Sequence, residues 1–98
     1  MKLKNEICFL SFVQALNQQD EELKNFLKSL YFHIIETYSP EKDKEEKEKL
    51  FESWYEGLDG MYDNLLETLE AYGRLKEFEN IISKYIPQAE KVKKIYKI

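Results

Sequence analysis

The sequence predicts an all-α fold, a small antiparallel bundle of four to five helices. Three observations carry this. Apolar residues recur at helical intervals along nearly the whole chain. Only three Gly and two Pro occur in 98 residues, which leaves little material for turns. No segment sustains the polar–apolar alternation of a strand.

The first stripe is Leu3, Ile7, Leu10, Val13 and Leu16, widened by Phe9 and Phe12. Asn17-Gln18-Gln19 interrupts it. Asp20 follows as the expected N-cap, with Glu21 and Glu22 placed to favour the next helix dipole. The second stripe runs Leu23, Phe26, Leu27, Leu30, Tyr31, Ile34, Ile35 and Tyr38. Ser39-Pro40-Glu41 combines a hydroxyl N-cap, Pro at the first helical position and an early acid, so a third helix is expected to begin there. Its first stretch, Glu41 to Lys49, has no apolar residue and must be solvated.

Apolar spacing resumes at Leu50 and continues through Phe51, Trp54, Tyr55, Leu58, Met61, Tyr62, Leu65, Leu66, Leu69 and Tyr72. Its phase survives Gly57 and Gly60, where a kink, a break or a close backbone approach is open. Uninterrupted, residues 41–72 would span about 48 Å. Gly73 is a C′ residue or hinge. A last stripe, Leu75, Phe78, Ile81, Ile82, Tyr85 and Ile86, is bent or restarted at Pro87 and finished by Ala89, Val92, Ile95 and Tyr96. The expected core is Leu10, Val13, Leu27, Leu30, Ile34, Trp54, Leu58, Leu65, Leu69, Phe78, Ile82 and Val92.

The length fits one helical domain over residues 1–98, and a chain of this size buries roughly 60–70% of its unfolded surface. The net charge of −4 is unevenly spread. Residues 1–35 are neutral, residues 36–79 carry fourteen acids against six bases (−8), and residues 80–98 carry five Lys against Glu90 (+4). Clustered cations for phosphate neutralisation are thus confined to the C-terminal segment, which disfavours nucleic acid as a direct ligand. The single Cys8 forms no internal disulfide and points to a reduced, cytoplasmic setting. No apolar run reaches the roughly 18–20 residues of a membrane span, so no membrane association is expected. Lys2 and Lys4 before Ile7–Val13 faintly imitate a signal peptide. Glu6 abuts the run, however, and no small-x-small cleavage site follows.

Nothing in the chain assembles a catalyst. His33 is the only His and lies on the flank of an apolar stripe, with Phe26, Leu30 and Thr37 as its helical neighbours, where a packed imidazole is the commoner explanation. Cys8, between Ile7 and Phe9, reads as a small buried hydrophobe. No metal-ligand spacing, calcium loop or glycine-rich phosphate loop occurs. No enzyme activity, cofactor or metal is expected.

One feature stands out. Glu52, Glu56, Asp59, Asp63, Glu67 and Glu70 recur at steps of three or four residues, and no Lys or Arg occurs from Leu50 through Gly73. On a continuous helix they would share one side, where like charges at i,i+4 disfavour the helix by about 0.2–0.5 kcal/mol per pair. Such a ridge is a solvated face, or is matched by the chain's own lysine-rich end, or meets a basic partner. Two short resemblances add little. Glu56-Gly-Leu-Asp-Gly-Met-Tyr62 resembles a stretch in the last helix of the AsiA family of small anti-sigma factors, which would imply binding to a polymerase specificity subunit. Tyr72 through Tyr85 is similar to the turn and second helix of a tetratricopeptide repeat, with Leu69 and Ile81 departing from that motif. Each covers a small part of the chain, and no site is carried over.

The reading these features support is a non-enzymatic protein-binding module: a small inhibitor, immunity-type factor or adaptor. It would dock a basic protein surface through Tyr55, Glu56, Asp59, Asp63, Glu67 and Glu70, with a homodimer left open. The alternative is a helical small subunit of a nucleoprotein complex, with Lys84, Lys91, Lys94 and Lys97 near the phosphate backbone.

Overall fold

The first helix is apolar around most of its circumference, more than one packed side can cover. In the computed structural model, which describes the backbone of residues 2–96 and the side chains of residues 6–95, its Ser11, Phe12 and Ala15 are buried while Phe9, Leu10, Val13 and Leu16 are half-buried. Lys97 and the side chains of Leu3 and Tyr96 lie outside the described residues. Helix α1 (Lys2–Asn17) packs against α5 (Leu75–Ile82), the 3-10 turn Ser83–Tyr85 and α6 (Ile86–Tyr96). Helix α2 (Glu21–Tyr38) packs on α3 (Lys44–Glu56) and α5, and α4 (Tyr62–Ala71) on α5. The described residues therefore form an all-α bundle, with no strand among them.

Local chemistry explains the boundaries. Helix α1 ends in a Schellman motif: Asp20 N–H donates to Ala15 O and Gln19 N–H to Leu16 O, with Gln19 left-handed at φ 54°. Asp20 then caps α2, its carboxylate accepting from Leu23 N–H at 2.8 Å. The same motif closes α4. Arg74 N–H donates to Leu69 O and Gly73 N–H to Glu70 O, with Gly73 at φ 69°, where a side chain would be strained.

The third helix starts later than expected. Ser39 is instead the C-cap of α2, its N–H donating to Ile35 O at 2.6 Å. The cap is Asp43, whose side chain accepts from Glu46 N–H at 2.9 Å. Pro40 and Glu41 lie in the turn between. The solvated first half of α3 is held by exposed ion pairs, among them Lys28–Glu48 and Lys47–Glu36 at 3.7 Å each.

The expected rod over residues 41–72 is broken at Gly57, and a 3-10 turn, Leu58–Met61, joins α3 to α4. The apolar phase survives because the turn still delivers Leu58 and Tyr62 to the core. A Cβ on Gly57 or Gly60 would meet nothing within 4 Å, so these glycines serve the break and not a close backbone approach.

At the centre, Phe12 and Phe78, both fully buried, lie 5.5 Å apart between ring centroids. Phe12 also meets Tyr62 at 5.5 Å, and Phe78 meets Phe26 at 6.3 Å. Four helices thus converge on one aromatic cluster. Of the expected core, Leu27, Leu30, Leu58, Leu65, Leu69, Phe78 and Ile82 are buried, whereas Leu10, Val13, Ile34, Trp54 and Val92 are only half-buried. The molecule measures 47 × 24 × 20 Å, too slender to enclose every apolar stripe. Tyr38, assigned to a core stripe, is 76% exposed.

A polar tether joins the last helices to the α1–α2 turn. Asp20 accepts hydrogen bonds from the Tyr85 hydroxyl and from Lys84 Nζ at 2.9 Å, and Lys84 also reaches Glu22 at 3.1 Å. Burial alone would raise the Asp20 carboxyl. The hydrogen bonds from Tyr85, Lys84 and Leu23 N–H together outweigh it and bring the carboxyl down to about 2.

Two measurements test this packing. Phe78→Ala should lower unfolding free energy by about 3–5 kcal/mol in urea titration. Because the folded pKa of Asp20 lies below its unfolded value, its stabilisation is present above about pH 4 and is lost as pH falls from 4 towards 2. With partial screening by water the loss is about 1–2 kcal/mol, and Asp20→Asn should flatten the unfolding midpoint over that window.

Candidate functional site

The break at Gly57 divides the acidic ridge. Glu52, the first member, is matched by Lys24 at 3.3 Å. Glu56, Asp59, Asp63, Glu67 and Glu70 are exposed, and no described side chain forms an ion pair with any of them. The C-terminal lysines do not fold along the ridge. Lys84 is held by Asp20 and Glu22, and Lys93 lies 3.0 Å from Glu6. Lys91 and Lys94 are exposed on α6 and form no ion pair with those carboxylates, and Lys97 lies outside the described residues.

The break also turns the first half of the ridge towards α1. Two adjoining concavities result. One, of about 550 Å³, has Val13, Leu16 and Tyr55 in its lining together with Glu21, Glu56 and Asp59. The other, of about 580 Å³, is lined by Phe9, Met61 and Tyr62 with Glu6, Asp59 and Asp63. Asp59 belongs to both, so they run on from one another along α1 from Glu6 to Leu16. Glu67 lies apart, in a smaller concavity with Ile34, Tyr38 and Tyr72, and Glu70 borders none of the three. The six-residue strip is therefore two surfaces: Tyr55, Glu56, Asp59 and Asp63 beside α1, and Glu67 and Glu70 on α4.

Tyr55, named in the expected docking strip, is half-buried. Its ring lies 5.4 Å from that of Phe51 and under Lys24 Nζ, also 5.4 Å from the centroid. Its hydroxyl oxygen is buried and has no hydrogen-bond partner. Burial first, and then the Asp20 and Glu52 carboxylates, push that hydroxyl's pKa above the ordinary tyrosine range. His33 is exposed, with its ring edge-on to Tyr72 at 5.2 Å. Among the described residues no three His, Cys, Asp or Glu side chains are arranged to hold a metal.

Sequence reasoning did not place Val13 and Leu16 beside Tyr55, because they are 39–42 residues apart and no local signal pairs them. The overly wide apolar stripe of α1 was the available clue. A helix apolar on so many sides still presents an uncovered edge once its neighbours are seated.

The fold places the described residues among small all-α bundles. The model of the ATP synthase delta (OSCP) subunit family matches residues 4–98, nearly the whole chain, and the chain belongs to that family. No curated protein and no solved structure matches it. The family corrects the expected function: the chain is neither an inhibitor, an immunity-type factor or adaptor, nor a nucleoprotein subunit, but belongs with the subunits of a membrane-associated enzyme complex. It also corrects the expectations of no membrane and of a free cytoplasmic protein, since the family serves a membrane-bound complex from its soluble side. Both errors have one physical source. No described helix is long and apolar enough to cross a membrane, but a subunit reaches the membrane through protein neighbours without any span of its own.

Since no described residue pairs with Glu67, which is exposed in the middle of α4, Glu67→Gln should change unfolding free energy by no more than about 0.5 kcal/mol. Urea titration of the variant checks that the strip is not needed for folding.

Proposed function

We propose that this chain is a non-catalytic connecting subunit of an ATP synthase, holding other subunits of the complex in place by contact. The observation that carries the reading is the family match over residues 4–98. The family contributes a structural, stator part to the enzyme and does not perform its chemistry. An elongated bundle with a rigid aromatic centre suits that task, because a connecting element must transmit force between neighbours without deforming.

The exposed carboxylates support a part in those contacts for Tyr55, Glu56, Asp59, Asp63, Glu67 and Glu70. They contribute nothing visible to the chain's own ion pairing, and interface charges act mainly on partner choice and association rate. The remaining lysines of α6 are a separate patch of opposite sign.

ATP synthase purified from the native host through a tag on this chain should contain the chain in fixed ratio to the other subunits. Complexes stripped of it should keep ATP hydrolysis and lose its coupling to proton movement. Absence of the other subunits, or loss of hydrolysis together with the chain, would contradict the proposal.

A further inference from the structure

We propose that the hollow where α2 and α4 end side by side is a socket for one arginine side chain carried by another subunit of the complex; this rests on the connecting role proposed above. The hollow, of about 280 Å³, is lined by Ile34 and Tyr38 near the end of α2 and by Glu67, Thr68, Ala71 and Tyr72 at the end of α4. Pockets for drug-sized ligands run to roughly 300–1,000 Å³, so this one suits a single long side chain. Its walls are surface that the bundle's own packing leaves uncovered. Tyr38 stands out in solvent, and Ile34 and Tyr72 are only half-buried. His33 meets the Tyr72 ring edge-on at 5.2 Å and braces it from α2.

The charge around the hollow decides what it takes. The C-terminal ends of α2 and α4 both border it, each carrying partial negative charge, and neither helix has a basic residue in its last turn. Glu67 adds a full negative charge to the lining and has no ion-pair partner among the described residues. Basic residues that follow the two helices are used elsewhere. Lys42 lies 3.8 Å from Glu46 and Lys47 lies 3.7 Å from Glu36. Arg74 sits over the Phe26 ring, 4.5 Å from its centroid, and 3.5 Å from Glu77. A cation is therefore what the hollow lacks. Tyrosine ring faces attract cations through their quadrupole. A planar guanidinium stacks on such a ring while its fork donates two hydrogen bonds to one carboxylate, which a lysine ammonium does not match. Arginine fits best, and Tyr and Arg are the residue types that concentrate energy at interfaces.

The test uses the assembled enzyme. A photo-crosslinking phenylalanine analogue replaces Tyr38, which keeps a ring at the rim and lies outside the core, in a tagged chain expressed in the native host. The purified ATP synthase is irradiated and the joined peptides are sequenced by mass spectrometry. The expected product is a link to another subunit beside an arginine, reduced about tenfold or more by Glu67→Gln in this chain. A link to a segment without arginine, to a second copy of this chain, or to nothing while the chain stays in the complex overturns the socket alone, as does a link that Glu67→Gln leaves unchanged. A chain that fails to purify with ATP synthase at all overturns the connecting role with it.

Discussion

The contact between Phe12 and Phe78 is the constraint on which the rest of the molecule turns. It joins the first helix to the fifth, with both rings fully buried, and Tyr62 and Phe26 complete the cluster from α4 and α2. Aromatic pairs at such separations add about 0.5–1.5 kcal/mol beyond their buried area. Their larger effect is geometric. Once α1 is pinned there, α6 and the Ser83–Tyr85 turn cover one of its sides, and the side carrying Phe9, Val13 and Leu16 is left as the floor of a groove.

Charge is distributed unevenly around that arrangement. Near α1 and α2, Asp20 and Glu22 hold Lys84, and Glu6 holds Lys93. Asp59, Asp63, Glu67 and Glu70, after the Gly57 break, have no ion-pair partner among the described residues. Like charges crowded on one continuous helix would repel, and the 3-10 turn relieves this by pointing Asp59 and Asp63 towards α1 while Glu67 and Glu70 continue along α4. The negative surface therefore coincides with the uncovered apolar floor.

Much of the fold was legible because it is written locally. Helical periodicity located every helix, Asp20 announced a cap, Gly73 a left-handed terminus and Pro87 a restart. Ser39 misled because a second capping side chain, Asp43, lies four residues on and is the one that accepts from the first turn of α3. Half of the expected core in α1 proved to be groove wall, since periodicity says which residues are apolar and not whether a neighbour covers them. The Asp20–Tyr85 bond spans 65 residues and has no sequence signature. Function was the least legible part: a subunit that works by contact needs no motif of fixed spacing, and membrane rules applied to one chain are silent about its neighbours.

The most direct measurement is a cryo-electron microscopy map of ATP synthase purified from the native host. Density for an all-α bundle of this shape in contact with neighbouring subunits is the expected result. A complete, coupled complex with no such bundle, or with the bundle present and every face of it open to solvent, would contradict a connecting role for this chain.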